Sequence, residues 1–588
     1  MAVPGWPFRR LHTDFLGTAA TVTPGSAIAN TDQPWWRTLR GLDVWTIGTL
    51  LFTGLAAMPV IAVIYLAFTP GENIWPHLVD TVLFGYISTT LGLMLGVGIG
   101  TLLIGVGTAW LVTMCRFPGR RLFEWGMLLP MAMPAYIIAY VYTDILEYAG
   151  PLQGALREGF GWSGKQDYWF PEIRSLGGAI AMMTLVLYPY VYLLSRAAFL
   201  QQSAGMFEAS RSLGRGPWRS FYTVALPLAR PAIMIGLFLV LMETLNDYGT
   251  VDFFAVNTFS LGIFDVWMNM NNVSGAAQLA TVLLIFVAFL VMGERYARRK
   301  QRFHNTSSKS QALPGFVLRG GRAFFATTGC LLPILLGFVL PTLVLLNYAH
   351  RHFDAELSLE IMGHALNSVR LSVLAGAIAV VVAIIMTYGA RLSGGKLLAA
   401  ANRVAAMGYA IPGAVLAVGV LVVLGGLDNS IDGFARDNFG LSTGLIFSGT
   451  IAAVTFGYLV RFLALALGTV EASLAKVTPS MDGASRSLGR GAFATMRHVH
   501  LPLIRGGILT AVLLVFVDAM KELPMTVILR PFNFETLATF VHQYASDEQL
   551  GEAALAALTI VGVGILPVIL LSLTIARSRA GHSSEQEA

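Results

Sequence analysis

The sequence predicts an all-α membrane protein of about twelve transmembrane helices, built as two tandem repeats of six. Of its 588 residues, 55% are hydrophobic and only 12% are charged, whereas soluble domains carry about 25% charged residues. Twelve apolar runs approach the length of roughly 20 residues that crosses a bilayer. One polar octapeptide, ASRSLGRG, occurs at residues 209–216 and again at 484–491. These three observations together indicate a duplicated membrane unit.

The predicted spans fall into two sets of six. They cover residues 44–68, 88–114, 123–147, 176–199, 231–251 and 275–293, and then 323–348, 367–391, 401–425, 443–466, 506–528 and 553–577. We expect a cytoplasmic N-terminal extension at 1–42, a first repeat at 43–294, a basic linker at 295–322, a second repeat at 323–578 and a tail at 579–588. Parallel repeats of this kind pack around an axis along the membrane normal.

Further sequence features recur in both halves. Leu226-Pro227 follows the first octapeptide at the spacing at which Leu501-Pro502 follows the second. Met133-Pro134 in the third span resembles Ile411-Pro412 in the ninth. The duplication therefore extends over the whole unit.

The distribution of Lys and Arg between loops predicts the orientation. Both octapeptide loops and the linker are basic, and the opposite loops are richer in acids, with Asp428, Asp432 and Asp437 beside Arg436 in one of them. Because cytoplasmic loops carry an excess of Lys and Arg, we expect both termini and both octapeptides to be cytoplasmic. The net charge of +6 is explained by these loops and does not indicate nucleic-acid binding.

Each octapeptide predicts a short helix followed by a turn. Ser203 and Thr478 can cap the two helices, with Pro479 at the first helical position of the second. Gly214 and Gly489 fit the left-handed position after a helix end. A simple connector has no need to repeat its sequence, so we expect two helices that fit two identical receptors.

Glu208-Ala-Ser, Gly214 and Leu226-Pro227 resemble the EAA loop of ABC importer permeases of the type I, MetI-like fold. The resemblance implies that the loop is a coupling helix that docks on an ATP-binding subunit, and two copies imply a homodimer of such subunits. In the second copy Gly483 replaces Glu208 and Asp482 lies one place earlier, so its ionic contact is in doubt or re-aimed. The implied coupling residues are Glu208, Ala209, Ser210, Arg211, Gly214, Asp482, Ala484, Ser485, Arg486 and Gly489.

The chain is not expected to be an enzyme. It lacks the GxxxxGK[ST] phosphate loop, so ATP and magnesium are expected on the partner subunit and no cofactor in this chain. Its two cysteines lie in apolar runs and offer neither a disulfide framework nor a metal site. The histidine pairs at 350 and 352 and at 498 and 500 are interpreted as solvated.

Charged residues occur inside two predicted spans. Glu243 and Asp247 in the fifth span correspond to Asp518 and Glu522 in the eleventh. Residues four apart share a helix face, and intramembrane acids usually face a protein interior or a water path. Either Lys521 pairs with Asp247 or Glu243 across the repeats, or the acids line a path or gate for a cationic cargo, or they bind metal. The candidate path residues are Glu243, Asp247, Asp518, Lys521, Glu522, Tyr188 and Tyr192, with Tyr190 as a further oxygen donor and transient ferric contacts at Glu243, Asp247, Asp518 and Glu522.

The segments ETLNDYGTVDFFAVNTFSLGIFDVW and DAMKELPMTVILRPFNFETLAT resemble the fused twelve-span permeases of ferric-iron ABC importers. The resemblance implies ferric ion as the cargo, a periplasmic substrate-binding protein as the donor, and the bacterial inner membrane as the location. Fused permeases for thiamine, polyamines or phosphonates share this architecture and remain alternatives. A proton-coupled secondary transporter would also use intramembrane acids, but it leaves the repeated loop unexplained.

Overall fold

The computed structural model describes residues 43–71, 73–200, 202, 204–214, 216–300, 316–393 and 395–579. The N-terminal extension, residues 301–315 of the linker, the last nine residues and the proposed cap Ser203 lie outside the described residues. Helices dominate because a backbone in hydrocarbon must pair its own N–H and C=O groups. A two-residue parallel ladder joins β1 (Cys115–Arg116) to β2 (Phe316–Val317).

The first half contains α1 to α13. Their bounds are α1 Val44–Phe68, α2 Trp75–Thr81, α3 Leu83–Met114, α4 Arg120–Gly126, α5 Ala135–Leu146, α6 Pro151–Phe160, α7 Leu176–Leu200, α8 Ala204–Ser212, α9 Pro217–Ser220, α10 Leu226–Asn246, α11 Gly249–Phe253, α12 Phe259–Phe264 and α13 Val273–Lys300. Thus α13 continues six residues past the expected end of the first repeat at 294.

The second half contains α14 to α25. Their bounds are α14 Gly321–Ile334, α15 Leu340–Arg351, α16 Ala355–Ser393, α17 Lys396–Ala405, α18 Gly413–Phe439, α19 Ile451–Leu474, α20 Pro479–Ser487, α21 Ala492–Thr495, α22 Leu501–Met520, α23 Pro524–Leu529, α24 Leu537–Ser546 and α25 Leu550–Arg579.

The number of spans agrees with the expectation of about twelve. Eleven helices in the described ranges are long and apolar enough to cross a membrane, and a twelfth span is formed by a pair bent by 91° at Met133-Pro134. The all-α membrane fold is therefore confirmed.

The boundary between the ninth and tenth spans differs from the expectation. The acids assigned to a loop lie on α18, which continues to Phe439, and α19 begins only at Ile451. Asp428 is buried and accepts hydrogen bonds from the amides of Ile446, Phe447 and Ser448. This carboxylate holds residues 446–448 as a connection, which is why an apolar run from 443 does not start the helix.

The two halves share their irregular features. Each has a π-helical segment before its fifth span, at Phe221–Ala225 and Met496–His500. Each has a 3-10 turn that ends just before a proline, at Leu129–Ala132 and Ala406–Ala410. Each also has a break near the end of its fifth span, between α10 and α11 and between α22 and α23. The repeat thus includes the deviations from ideal helix.

The first span of each half packs against the other half. Helix α1 contacts α16, α17 and α18, and α15 contacts α5 as well as α25. The contact of α1 with α18 is close, because a β-carbon added at Gly419 would lie 2.2 Å from the carbonyl oxygen of Pro59. These contacts between the first span of each half and the helices of the other half join the repeats into one bundle.

Gly419→Ala should therefore destabilise the protein, whereas Gly426→Ala should not. Both glycines are on α18, but nothing lies within 4 Å of a β-carbon at Gly426. Overpacking costs about 1–3 kcal/mol. We therefore expect Gly419→Ala to lower the unfolding temperature of the purified protein in detergent and Gly426→Ala to leave it unchanged. Equal unfolding temperatures for the two variants would contradict this close contact.

Candidate functional site

A central cavity lies between the halves at the breaks of the two fifth spans. Its wall includes all five charged residues proposed for the path: Glu243, Asp247, Asp518, Lys521 and Glu522. The free volume is about 120 Å³, well above the roughly 10–15 Å³ that one ordered water needs. A small ion with several waters can therefore occupy it.

On the first-half side, two acids lie at the end of α10. Asp247 follows the last residue of α10 and accepts hydrogen bonds from the Thr250 amide (2.9 Å), the Thr250 hydroxyl (3.0 Å) and the Val251 amide (3.3 Å). It thereby caps α11. Glu243 accepts a hydrogen bond of 2.9 Å from the hydroxyl of Tyr409, which belongs to the second half.

On the second-half side, Glu522 has the same capping role. Its carboxylate accepts hydrogen bonds from the amides of Met525 and Thr526, both at 3.2 Å, and so caps α23. It also lies 3.4 Å from the guanidinium of Arg461. Asp518 pairs with Lys521 at 3.0 Å. The alternative in which Lys521 pairs with Asp247 or Glu243 is therefore wrong, because Asp518 one turn earlier in the same segment is its partner.

A second side chain of the first half also bonds the second half directly at the cavity. The amide oxygen of Asn246, at the end of α10, accepts hydrogen bonds from Arg461 (2.6 Å) and from the Gly413 amide (2.8 Å). A β-carbon at Gly413 would lie 2.7 Å from the Arg461 guanidinium and 2.8 Å from the Glu522 carboxylate. The absence of a side chain at Gly413 is what lets this network form.

The charged groups on the cavity wall are not balanced. Four carboxylates face two cationic groups, and both cations pair with second-half acids. Within the described residues, Glu243 and Asp247 form no ion pair. The cavity therefore carries an excess of negative charge, concentrated on the first-half side.

The tyrosines of the fourth span are distributed differently from the expectation. Tyr190 lies on the cavity wall, whereas Tyr188 and Tyr192 are fully buried and point elsewhere. Tyr192 donates to the Glu124 carbonyl at 3.1 Å, and Tyr188 faces the Met127 sulfur at 4.0 Å. Residues four apart share one helix face and the residue between them lies on the opposite face, so the placement of Tyr188 and Tyr192 on the path is wrong.

The four carboxylates do not form a ready-made metal site. In the ranges that the structure describes, no three His, Cys, Asp or Glu side chains come close enough to hold a metal ion. Contacts with ferric ion at Glu243, Asp247, Asp518 and Glu522 therefore require either movement or water-mediated binding.

The octapeptides lie on matched short helices, α8 and α20. Gly214 and Gly489 have φ values of +72° and +76°, the left-handed backbone expected after a helix end. Ser210 and Ser485 are buried and bond the hydroxyls of Ser220 and Thr495, each at 2.8 Å. These two serines anchor their helices and do not face a partner. Thr478 precedes α20 as expected but makes no side-chain cap.

The acids of the two loops point in different directions. Glu208 is exposed, whereas Asp482 contacts Arg391 at 2.9 Å and His500 at 2.6 Å. Burial acts to raise the pKa of Asp482, but the hydrogen bonds and charges of Arg391 and His500 outweigh it and hold that pKa below its usual range. The carboxylate of Asp482 is thus re-aimed into the protein.

The other coupling candidates are mostly exposed. Ala484, Arg486 and Gly489 are accessible at the surface, and the side chains of Ala209 and Arg211 lie outside the described part of the structure. The interpretation of both histidine pairs as solvated is wrong for one member, since His500 is buried. Its partner Asp482 lies 18 residues away, and the sequence gives no sign of that contact.

The sequence did not identify the residues that hydrogen-bond across the halves at the cavity, which are Asn246, Tyr409 and Arg461. Arg461 carried a usable signal, because a cation within the apolar run 443–466 needs a buried partner. Asn246 and Tyr409 are neutral and of common type, and only the packing of the two halves shows their role.

Known proteins resemble this chain over different lengths. Residues 101–302 match the family described as binding-protein-dependent transport system inner membrane component. The Fe(3+)-transport system permease protein FbpB 2 of Haemophilus influenzae is 28% identical over 496 residues, which is 82% of this chain and 89% of that protein.

Two shorter permeases cover about a third of the chain. The molybdenum transport system permease protein ModB of Escherichia coli is 27% identical over 33% of this chain and 84% of its own length. The putative 2-aminoethylphosphonate transport system permease protein PhnU of Salmonella choleraesuis is 28% identical over 37% and 76%. Residues 101–302 therefore match the binding-protein-dependent transport system inner membrane component family, and the chain is a multi-span membrane protein similar to transport permeases of the inner-membrane type.

Proposed function

We propose that this chain is the membrane permease of an ATP-driven, binding-protein-dependent importer of ferric iron. The observation that carries the proposal is the negatively charged cavity between the two repeats. The similarity to a ferric permease over most of the chain agrees with it.

The charge of the cavity favours a cation over the anions that related permeases carry. Relatives of this chain are named for 2-aminoethylphosphonate and for sulfate. Such anions would meet Glu243 and Asp247, whose charges have no cationic partner in the described residues. A pair of unit charges 4 Å apart interacts by about 4 kcal/mol at an effective dielectric constant of 20, so the sign of the cargo charge strongly affects its occupancy.

Energy for transport is proposed to come from a separate subunit. The chain has no phosphate loop, and α8 and α20 repeat the same motif with exposed Glu208, Ala484 and Arg486. A homodimer of ATP-binding subunits, with its ATP and magnesium, would offer two equivalent grooves for these helices. The excess of Lys and Arg in their loops supports a cytoplasmic position for α8, α20 and both termini, and a periplasmic binding protein would deliver the ion to the opposite face.

The cross-repeat network at Asn246 suits a gate. The hydrogen bonds from Arg461 and Gly413 to Asn246 must change when the halves rock around the cavity. Arg461 and Lys521 are tethered cations that neutralise Glu522 and Asp518 while no cargo is present. An entering ferric ion would compete with them for these carboxylates, which would couple occupancy of the cavity to the contact between the repeats.

Uptake of radiolabelled ferric iron tests the central assignment. In iron-starved cells lacking the gene, the intact chain should restore uptake, and Glu243→Gln/Asp247→Asn should lower it about tenfold or more, equivalent to about 1.4 kcal/mol of lost cation binding. The matched control Glu158→Gln/Glu356→Gln removes the same charge from exposed positions and should leave uptake unchanged.

Expression of each variant in that assay is checked by immunoblot. Unchanged uptake after deletion, in a strain without a second ferric importer, would contradict the ferric assignment. Thiamine and polyamine would then be the next cations to test.

The two coupling helices should respond differently to neutralisation of their acids. Glu208→Gln should leave the unfolding temperature unchanged and reduce the ATP-binding subunit retained on co-purification. Asp482→Asn should lower the unfolding temperature, because Arg391 and buried His500 lose a charged acceptor worth about 1.5–3 kcal/mol. Equal thermal shifts in the two variants would refute this division, and the recovery of no ATP-binding subunit from intact chain would favour a secondary transporter.

Removal of Arg461 tests the buried pair at the gate. Arg461→Met leaves Glu522 buried without a cation, which typically costs about 3–5 kcal/mol. Arg461→Met/Glu522→Gln should regain part of the unfolding temperature because no unpaired charge remains, but should not regain uptake. If the single and double variants unfold at the same temperature, the pair does not act as described.

A further inference from the structure

A second polar cluster lies next to the central cavity, on the side away from the coupling helices. Helix α8 precedes the start of α10. The cluster lies near the opposite end of α10, where α11 begins. It consists of Tyr140 on α5, Tyr248 and Asp252 from the first half, and His542 on α24 from the second half. Tyr248 also lies on the cavity wall, so the cluster borders the cavity.

His542 connects the members of the cluster. Its Nδ1 lies 2.7 Å from the Tyr140 hydroxyl, and its Nε2 lies 3.5 Å from a carboxylate oxygen of Asp252. The Tyr248 ring is 5.6 Å from the imidazole, and the Tyr248 hydroxyl interacts with the Asp252 carboxylate. The His542 and Asp252 side chains are 12% and 30% exposed, so both are accessible to a small ion.

The fold does not need these polar groups. Tyr248 and Asp252 correspond to Leu523 and Val527 after the break in the other repeat. Thr258 and Thr536, which directly precede α12 and α24, occupy equivalent sites, since the amides that follow them bond Thr90 and Ser368.

The two remaining members of the cluster also have apolar counterparts in the other repeat. The correspondence of Thr258 with Thr536 pairs His542 with Phe264, and that of Pro134 with Pro412 pairs Tyr140 with Val418. The same positions in the other copy are therefore filled by apolar side chains, which points to a role other than packing.

We propose that Tyr248, Asp252 and His542 form an entry site for ferric ion, from which the ion passes to the central cavity. This inference rests on the proposed function. Phenolate and carboxylate oxygens are hard ligands suited to a trivalent cation, and two ligands about 2.1 Å from one ion lie roughly 3.0–3.5 Å apart, as Nε2 and the Asp252 oxygen do. His, Cys, Asp and Glu alone form no three-ligand group in the described ranges, so the Tyr248 phenol is the necessary third donor.

Tyr140 is a positioning residue for this site. When the Tyr140 oxygen accepts the Nδ1 hydrogen of His542, Nε2 carries no proton and is available to the ion, the arrangement typical of metal-bound histidine. On binding, the Tyr248 phenol releases its proton to solvent and the imidazole stays neutral. Phenolate and carboxylate then reduce the ferric charge from +3 to +1.

Visible absorption of the purified full-length chain tests the entry site, because a phenolate bound to ferric iron has a charge-transfer band that a structural tyrosine lacks. Titration with ferric nitrilotriacetate should produce the band in the intact protein. Tyr248→Phe should abolish it, and Tyr140→Phe should retain it with about 10–100-fold weaker affinity. The control Glu243→Gln removes a charge from the central cavity, leaves the Asp247 cap of α11 in place and should keep the band.

Each variant must elute as the intact protein does on size exclusion, and His542→Gln replaces Tyr248→Phe if the latter fails this check. Absence of the band in the intact chain, or its persistence without Tyr248, would overturn the entry site. If the cells nevertheless take up ferric iron through this chain, the proposed function stands and only the entry site falls. If deletion leaves uptake unchanged, the proposed function fails whatever the spectrum shows.

Discussion

The capping of the broken fifth spans by Asp247 and Glu522 is the interaction on which the centre of the molecule depends. Water is not available in a bilayer core to satisfy the free amides at the start of a helix, so α11 and α23 need acceptors from the protein itself. Each acid supplies them, and a break in the span becomes possible. The consequence is that negative charge must lie where the repeats meet.

The two repeats share the broken fifth span with its capping acid, and they differ in how the charge of the acids is neutralised. Glu522 and Asp518 have cationic partners, whereas Asp247 and Glu243 rely on hydroxyl and amide donors. The short helices α8 and α20 that carry the octapeptides show the same divergence. The position of Asp482 in α20 corresponds to Phe207 in α8, which is fully buried and packs 6.3 Å from Trp110 between ring centroids. One anchor is ionic and the other aromatic, although the octapeptides are identical.

Hydropathy, turn residues and the internal repeat were sufficient to predict the span count, the two short octapeptide helices and the left-handed glycines. They also identified five of the six charged residues that meet at the cavity, because charge in an apolar run is rare; Arg461 is the sixth. The failures involve side-chain direction and distant partners. Tyr188 and Tyr192 lie on the face of α7 that points away from the cavity. His500 is buried and bonds Asp482, and this pairing depends on how α20 folds back. Asn246 and Tyr409 become informative only once the halves are packed together.

The matched π-helical segments bear on the history of the chain. A π segment arises when one residue is accommodated in an α-helix without shifting its flanks. Such segments occur at residues 221–225 and 496–500, at the same position relative to the octapeptide in both halves. Two independent insertions at one site are far less economical than a single one. A π segment already present in a common six-span unit is therefore the more economical account of the matched pair.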